Sequence, residues 1–303
     1  MPKRSTDELF QLVKSLEKAE KRNFKLFVQR NATSSDMKTV QLFDALDKLE
    51  DYDEEALLKR NTDIKKQQLS NLKAHLYRQI LASLRILKDD NNIQLQLHEL
   101  MDYSRILYDK GLYLQSLKTL DRVKEYAREQ HQVTYWLQTL IFEKKIEALY
   151  ITRSMENRAE TLAKEVEEAG DRLTMMNKLS NLSLQLYSWY INLGHARGDK
   201  DRIAIKAFFE SNLPTTAGLY NGFYEKHYQY ESYCWYGFIL QDLLMYYRYC
   251  QKWVDAFEQE PLMKKVDTPL YIKGLHNLLN AHFVLQNYDK FNTVLDKFEH
   301  FYH

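Results

Sequence analysis

Hydrophobic residues recur along this chain at helical spacing. Leu9, Leu12, Val13 and Leu16 fall at i, i+3, i+4 and i+7, the stripe that one face of an α-helix turns to a core. Ser5 and Glu8 precede them in a capping-box pattern, a hydroxyl and a carboxylate each able to satisfy a free backbone amide, so a first helix is predicted from about Thr6. Phe24, Leu26, Phe27 and Val28 mark a second. Met37, Val40, Leu42, Phe43, Leu46 and Leu49 mark a third, after a polar turn over 31–36. Leu69, Leu72, Leu76, Ile80, Leu84 and Leu87 share one face of a longer helix. The run Asp89-Asp90-Asn91-Asn92 then breaks the periodicity, which divides the chain into an N-terminal helical module, 1–88, and a second region, 93–303.

Beyond that break the helices come in pairs. The segments Gly111 to Ser116, Gln251 to Ala256 and Gln286 to Phe291 place Tyr113, Trp253 and Tyr288 three residues before the next inward position, where a ring can plug the corner between antiparallel helices. Weaker joints fall at Ser154 to Ala159 and Gly198 to Ile203. Composition agrees with helices throughout. Glycine and proline number 8 and 4 among 303 residues, about a third of ordinary usage, and turns of sheet proteins need both. The chain reads all-α.

The joints resemble those of the tetratricopeptide repeat, whose two helices meet at a Gly-x-Tyr-x-x-Ala turn. Leu100, Tyr103, Ser104, Leu107, Gly111, Tyr113, Ser116 and Leu120 carry the resemblance at one end, and Leu275, Leu278, His282, Tyr288, Phe291 and Leu295 at the other. The five joints stand 43, 44, 53 and 35 residues apart, so only the last step is near the family's 34. The N-terminal stretch from Ser15 to Phe27 is similar to uncharacterised bacterial helical-repeat proteins. The resemblance over 93–303 implies a right-handed superhelix of helix pairs whose concave face binds protein or peptide. It also implies which positions line that face: His98, Arg105 and Tyr108 counted from Leu100, Gln241, Arg248 and Tyr249 from Leu240, and Lys273, His276 and Asn280 from Leu275. Cations beside aromatic rings there suit an acidic or carboxylate-ended peptide.

Charge and candidate chemistry narrow the rest. With 43 basic against 42 acidic residues the net charge is +1, so no global field recruits nucleic acid. Locally, seven acids in 44–55 precede eight bases in 59–88; the bases either track phosphates or compensate the acids. The common phosphate-loop, zinc and nucleophile-elbow motifs are missing and the nine histidines are scattered, which reads as a non-catalytic chain with neither cofactor nor metal. A block of rings from Tyr220 to Tyr249 either fills wide gaps between helices or lines a groove. Cys234 and Cys250 are too few for a disulfide scaffold, and with no signal-like or membrane-spanning stretch the expectation is a cytoplasmic adaptor. Its alternative is a regulator that binds nucleic acid through the basic stretch and senses a ligand in the repeats.

Overall fold

The computed structural model describes residues 7–30, 34–60, 66–88, 92–150, 158–215 and 222–302, and every regular element among them is a helix. These are α1 (Glu8–Ser15), α2 (Lys18–Arg30), α3 (Ser34–Lys48), α4 (Glu54–Arg60), α5 (Lys66–Lys88), α6 (Ile93–Asp109), α7 (Tyr113–Glu129) and α8 (Val133–Tyr150). There follow α9 (Arg158–Leu193), α10 (Asp199–Asn212), α11 (Phe223–Leu240), α12 (Leu243–Gln259), α13 (Met263–Val266), α14 (Thr268–Val284) and α15 (Tyr288–Tyr302). No helix among them is long and apolar enough to cross a membrane. The chain divides into two compact units, Met1–Gln96 and Leu97–His303.

In the first unit the apolar stripes meet in one core of Leu9, Val13, Phe24, Val28, Leu42, Phe43, Leu46, Leu76 and Ile80. Asp7 caps α1, its carboxylate accepting from the Phe10 N–H at 3.1 Å; Ser5 of the expected capping box lies outside the described residues. Of the polar turn predicted over 31–36, residues 34–36 already belong to α3, and 31–33 lie outside the described residues. The acidic run includes the short helix α4, which the apolar pattern did not mark. Among its acids, Glu54 stands beside Lys66 and Lys73 of α5 around one shallow cavity, while others pair elsewhere. Asp47 pairs with Lys21 and Asp44 with Lys25, both at 2.7 Å, on α2.

In the second unit, several helices are joined by a recurring turn of two or three residues. Gly111, His131, Gln241 and Gln286 each take positive φ, between 55° and 75°. The next residue's N–H donates to a carbonyl five residues back, as in Leu112 to Leu107, Gln132 to Ala127, Asp242 to Gly237 and Asn287 to His282. This 6→1 bond is the Schellman closure of a helix C-terminus. Three of the four residues that bear the left-handed strain have side chains, although glycine would adopt it without cost. The joints predicted at Gly111, Gly198 and Gln286 fall on real turns. Residues 154–157 lie outside the described ones. Gln251 to Ala256 does not form a joint: it is the interior of α12.

Side-chain contacts fix the helix directions. His98 meets Tyr135 at 5.0 Å and Tyr108 meets Phe142 at 5.5 Å, so α6 and α8 run parallel. Phe223 with Phe257, His227 with Trp253 and Cys234 with Cys250 make α11 and α12 antiparallel. Tyr224 with Asp267 and Glu231 with Lys273 make α11 and α14 parallel. The exception to the pairing is α9. It has 36 residues, about 54 Å at 1.5 Å each, twice its neighbours' length. Its N-terminal half flanks α7 and α8, with Glu165 on Lys124 at 3.2 Å. Its C-terminal half runs parallel to α11: Arg172 meets Glu225, the Leu179 carbonyl accepts from Ser232, and Tyr187 meets Trp235. One continuous helix thus closes one set of pairs and opens the next without a turn.

Candidate interaction surface

Three parallel helices, the C-terminal half of α9, then α11 and α14, lie side by side in the second unit. On α11, Tyr224, Tyr228, Glu231 and Trp235 recur at i, i+4, i+7 and i+11, one stripe of the helix. Tyr224, Tyr228 and Trp235 are half-buried and Glu231 is buried. The same spacing on α9 gives Ser180, Leu184, Tyr187 and Ile191, and on α14 Lys273, Asn277, Asn280 and Val284. Cross-contacts join the rows. Tyr187 lies 4.9 Å from Trp235, and Lys273 Nζ donates to Glu231 Oε1 at 2.6 Å. Tyr224 Oη donates to Asp267 Oδ2 at 3.4 Å. Burial raises the pKa of the Tyr224 and Tyr228 phenols, so both stay protonated and can donate. Burial also raises Asp267.

The nine positions nominated from sequence separate. Lys273, His276 and Asn280 lie together on α14, where Lys273 and His276 are exposed and Asn280 Nδ2 donates to Tyr246 Oη at 3.3 Å. His98, Arg105 and Tyr108 form a stripe of α6. His98 and Arg105 are exposed, and Tyr108 is half-buried between Tyr113, Phe142 and the Lys145 ammonium, 4.9 Å from its ring. The third set does not stand on one helix. Gln241 is the left-handed turn residue that caps α11, and Arg248 and Tyr249 are on the returning helix α12. Tyr249 stacks on Tyr233 at 4.2 Å under Lys252, on the side of α11 opposite Tyr228. Two of the nominated cations also have acidic partners: Arg105 with Asp102 at 3.5 Å and Lys273 with Glu231. The face is therefore less basic than its cations alone suggest.

The rings in and around the aromatic block fall in different surroundings. Phe223, Trp253 and Phe257 are core; Phe209, Tyr236, Tyr233 and Tyr249 stack on the far side of α11; Tyr228 and Trp235 line the three-helix face. Tyr220 lies outside the described residues. Sequence reasoning missed Leu184, Tyr187 and Ile191 altogether, because their helix was not read as a face-forming one. Its available signal was a run without charge from Leu179 to Gly194. Of the expected corner plugs, Tyr113 is half-buried against Tyr108 at 5.6 Å, Tyr288 is 55% exposed, and Trp253 is fully buried in mid-helix.

Behind the face lies a buried polar knot. His227 is sealed between Trp253, 4.6 Å away, and Tyr228, and its ring nitrogens find no hydrogen-bond partner. Burial lowers its pKa to about 4; Glu231 opposes that shift and Lys273 adds to it. The unfolded imidazole titrates near 6.5. As pH falls from about 6.5 to 4, the unfolded chain therefore binds a proton that the folded one refuses, and stability drops. The expected loss is about 3 kcal/mol, from 1.36 kcal/mol per pKa unit. Denaturant melts near neutral pH and near pH 4 should show a smaller acid penalty for His227→Leu than for the parent. Equal penalties would contradict this account of the knot.

Among the described residues, no group of three His, Cys, Asp or Glu side chains is placed to hold a metal ion. No family model, curated protein or solved structure matches the chain.

Proposed function

We propose that the second unit is a non-catalytic platform that binds a polypeptide segment across α9, α11 and α14. The observation that carries this reading is the stripe Tyr224, Tyr228 and Trp235, flanked by Lys273 and Asn280 on one side and Tyr187 on the other. Half-buried phenol and indole rings offer large contact area with little side-chain entropy to lose, and their polar edges take hydrogen bonds from a backbone. Lys273 and His276 on the rim would favour an acidic segment, within the limit set by the Glu231 partner. A tetratricopeptide-like array of helix pairs remains the fold reading behind this proposal, in which parallel alternate helices supply the binding face.

The test is selection of binding peptides from a display library on the intact protein, then titration against Tyr228→Ala and Lys273→Glu. Tyr228→Ala should weaken binding by at least about 30-fold, the loss typical of a central aromatic anchor. Peptides that bind both variants as tightly as the parent would remove the site from this face. The alternative, nucleic acid on α5, draws on exposed Arg78 and Arg85 seven residues apart on one stripe. It requires an affinity that falls steeply with salt and that Arg78→Glu abolishes.

A further inference from the structure

We infer that Cys234 and Cys250 are a redox staple: hydrogen peroxide converts the two thiols into a disulfide that ties α11 to α12. The chain has only these two cysteines. They stand sixteen residues apart on different helices, and the antiparallel register brings them to one point, Sγ to Sγ at 3.6 Å. Both thiols are free and buried. A disulfide bond is about 2.0 Å long, so each sulfur has less than about 1 Å to travel. The two backbones approach closely at this level. Gly237, one turn after Cys234, meets α12 so tightly that a Cβ there would lie 2.9 Å from the backbone nitrogen of Tyr246, one turn before Cys250.

The chemistry balances with one oxidant. Cys234, 3% exposed against 0% for Cys250, is the sulfur that a small molecule reaches first. Its sulfur attacks one peroxide oxygen, the O–O bond breaks, and the thiol proton leaves with the departing hydroxide as water. Cys250 then attacks the sulfur of the resulting sulfenic acid, and its own proton departs with the hydroxyl as a second water. Two thiols thus give two electrons to one peroxide. Burial raises the pKa of the Cys234 thiol, and the thiolate is the nucleophile, so the first step is slow. The second is fast, because the resolving sulfur is already in contact and closes the disulfide before more oxygen is added. Burial also selects the oxidant. A small neutral peroxide enters as the packed helices open locally, whereas a bulky charged disulfide has no line of approach to either sulfur. Closing a loop of this length restricts the unfolded chain and should lower the unfolding equilibrium constant by roughly 100-fold. The inference rests on the α11–α12 core and does not depend on the peptide reading.

The experiment exposes the folded, reduced full chain to hydrogen peroxide, removes the oxidant, and maps the cysteine peptides by mass. The expected product joins the Cys234 and Cys250 peptides of one chain, lighter by two hydrogen atoms than the two reduced peptides together, and takes no iodoacetamide in urea. Its urea melt should show the stabilisation given above, and dithiothreitol should reverse it. That reversal isolates the disulfide, since a thiol reductant leaves methionine sulfoxide in place. Thiols that still alkylate in urea after the exposure overturn the inference. So do oxygen adducts at the cysteines, or cross-links between separate chains. A joined pair whose melt dithiothreitol leaves unchanged equally rejects the staple.

Discussion

Replacing Trp253 by alanine should destabilise the protein by about 3–5 kcal/mol, the range for deleting a large buried aromatic. The indole is fully buried in the interior of α12. His227 stands edge-on to it, the Lys273 ammonium lies 5.8 Å from its ring, and Gly274 of α14 leaves it room. A Cβ at Gly274 would come within 2.9 Å of the indole, so the surrounding helices are fitted to this side chain and cannot close over its loss. Tyr288→Ala is the contrasting change. At 55% exposure it should cost under about 1 kcal/mol. Denaturant melts of both variants decide the matter; a Trp253→Ala loss as small as that of Tyr288→Ala would contradict this packing.

Arg172→Ala should cost a comparable amount for an electrostatic reason. Arg172 Nε donates to Glu225 Oε1 at 2.7 Å, and Glu225 is 2% exposed. The guanidinium also lies 5.9 Å from the Trp136 ring, so it ties α9 to both α8 and α11. Removing it leaves a buried carboxylate without its counter-charge, a loss of about 3–5 kcal/mol. Arg172→Met with Glu225→Leu removes both charges and should recover most of that loss, since a buried pair replaced by apolar groups is often near neutral. A double variant no more stable than Arg172→Ala would show that the single variant acts by some other route. Gly222 belongs to the same corner: a Cβ there would clash with Arg172 and Glu225.

These sites show what the residues disclosed in advance and what they hid. The helical class followed from apolar spacing and the shortage of glycine and proline. The joint at Gly111 was visible because glycine marks a left-handed turn. The joints at His131 and Gln241 carry the same backbone geometry on residues that give no such sign. That is why Gln241, Arg248 and Tyr249 were counted along one helix when the chain in fact reverses between them. Trp253 looked like a corner residue because an aromatic followed three positions later by an inward residue also describes the interior of an amphipathic helix. The length of α9 was hidden for the opposite reason. Gly170 lies inside it with open space about the position of a Cβ, so the residue type most often found at a turn here sits in an uninterrupted helix. Lys273, His276 and Asn280 were nominated together and do share a face, since their spacing of three and four holds on any helix. Their salt-bridge partner on α11 depended on tertiary register, which no local pattern contains.

The continuity of α9 is what brings Tyr187 beside Trp235 and makes one face of three parallel helices. Spin labels on Glu160→Cys and Asn192→Cys, two exposed positions 32 residues apart on that helix, measure it directly by pulsed electron resonance. A continuous helix predicts a separation near 48 Å at 1.5 Å per residue. A distance of about half that or less would mean that the chain turns back inside 158–193, and the three-helix face would not exist as described.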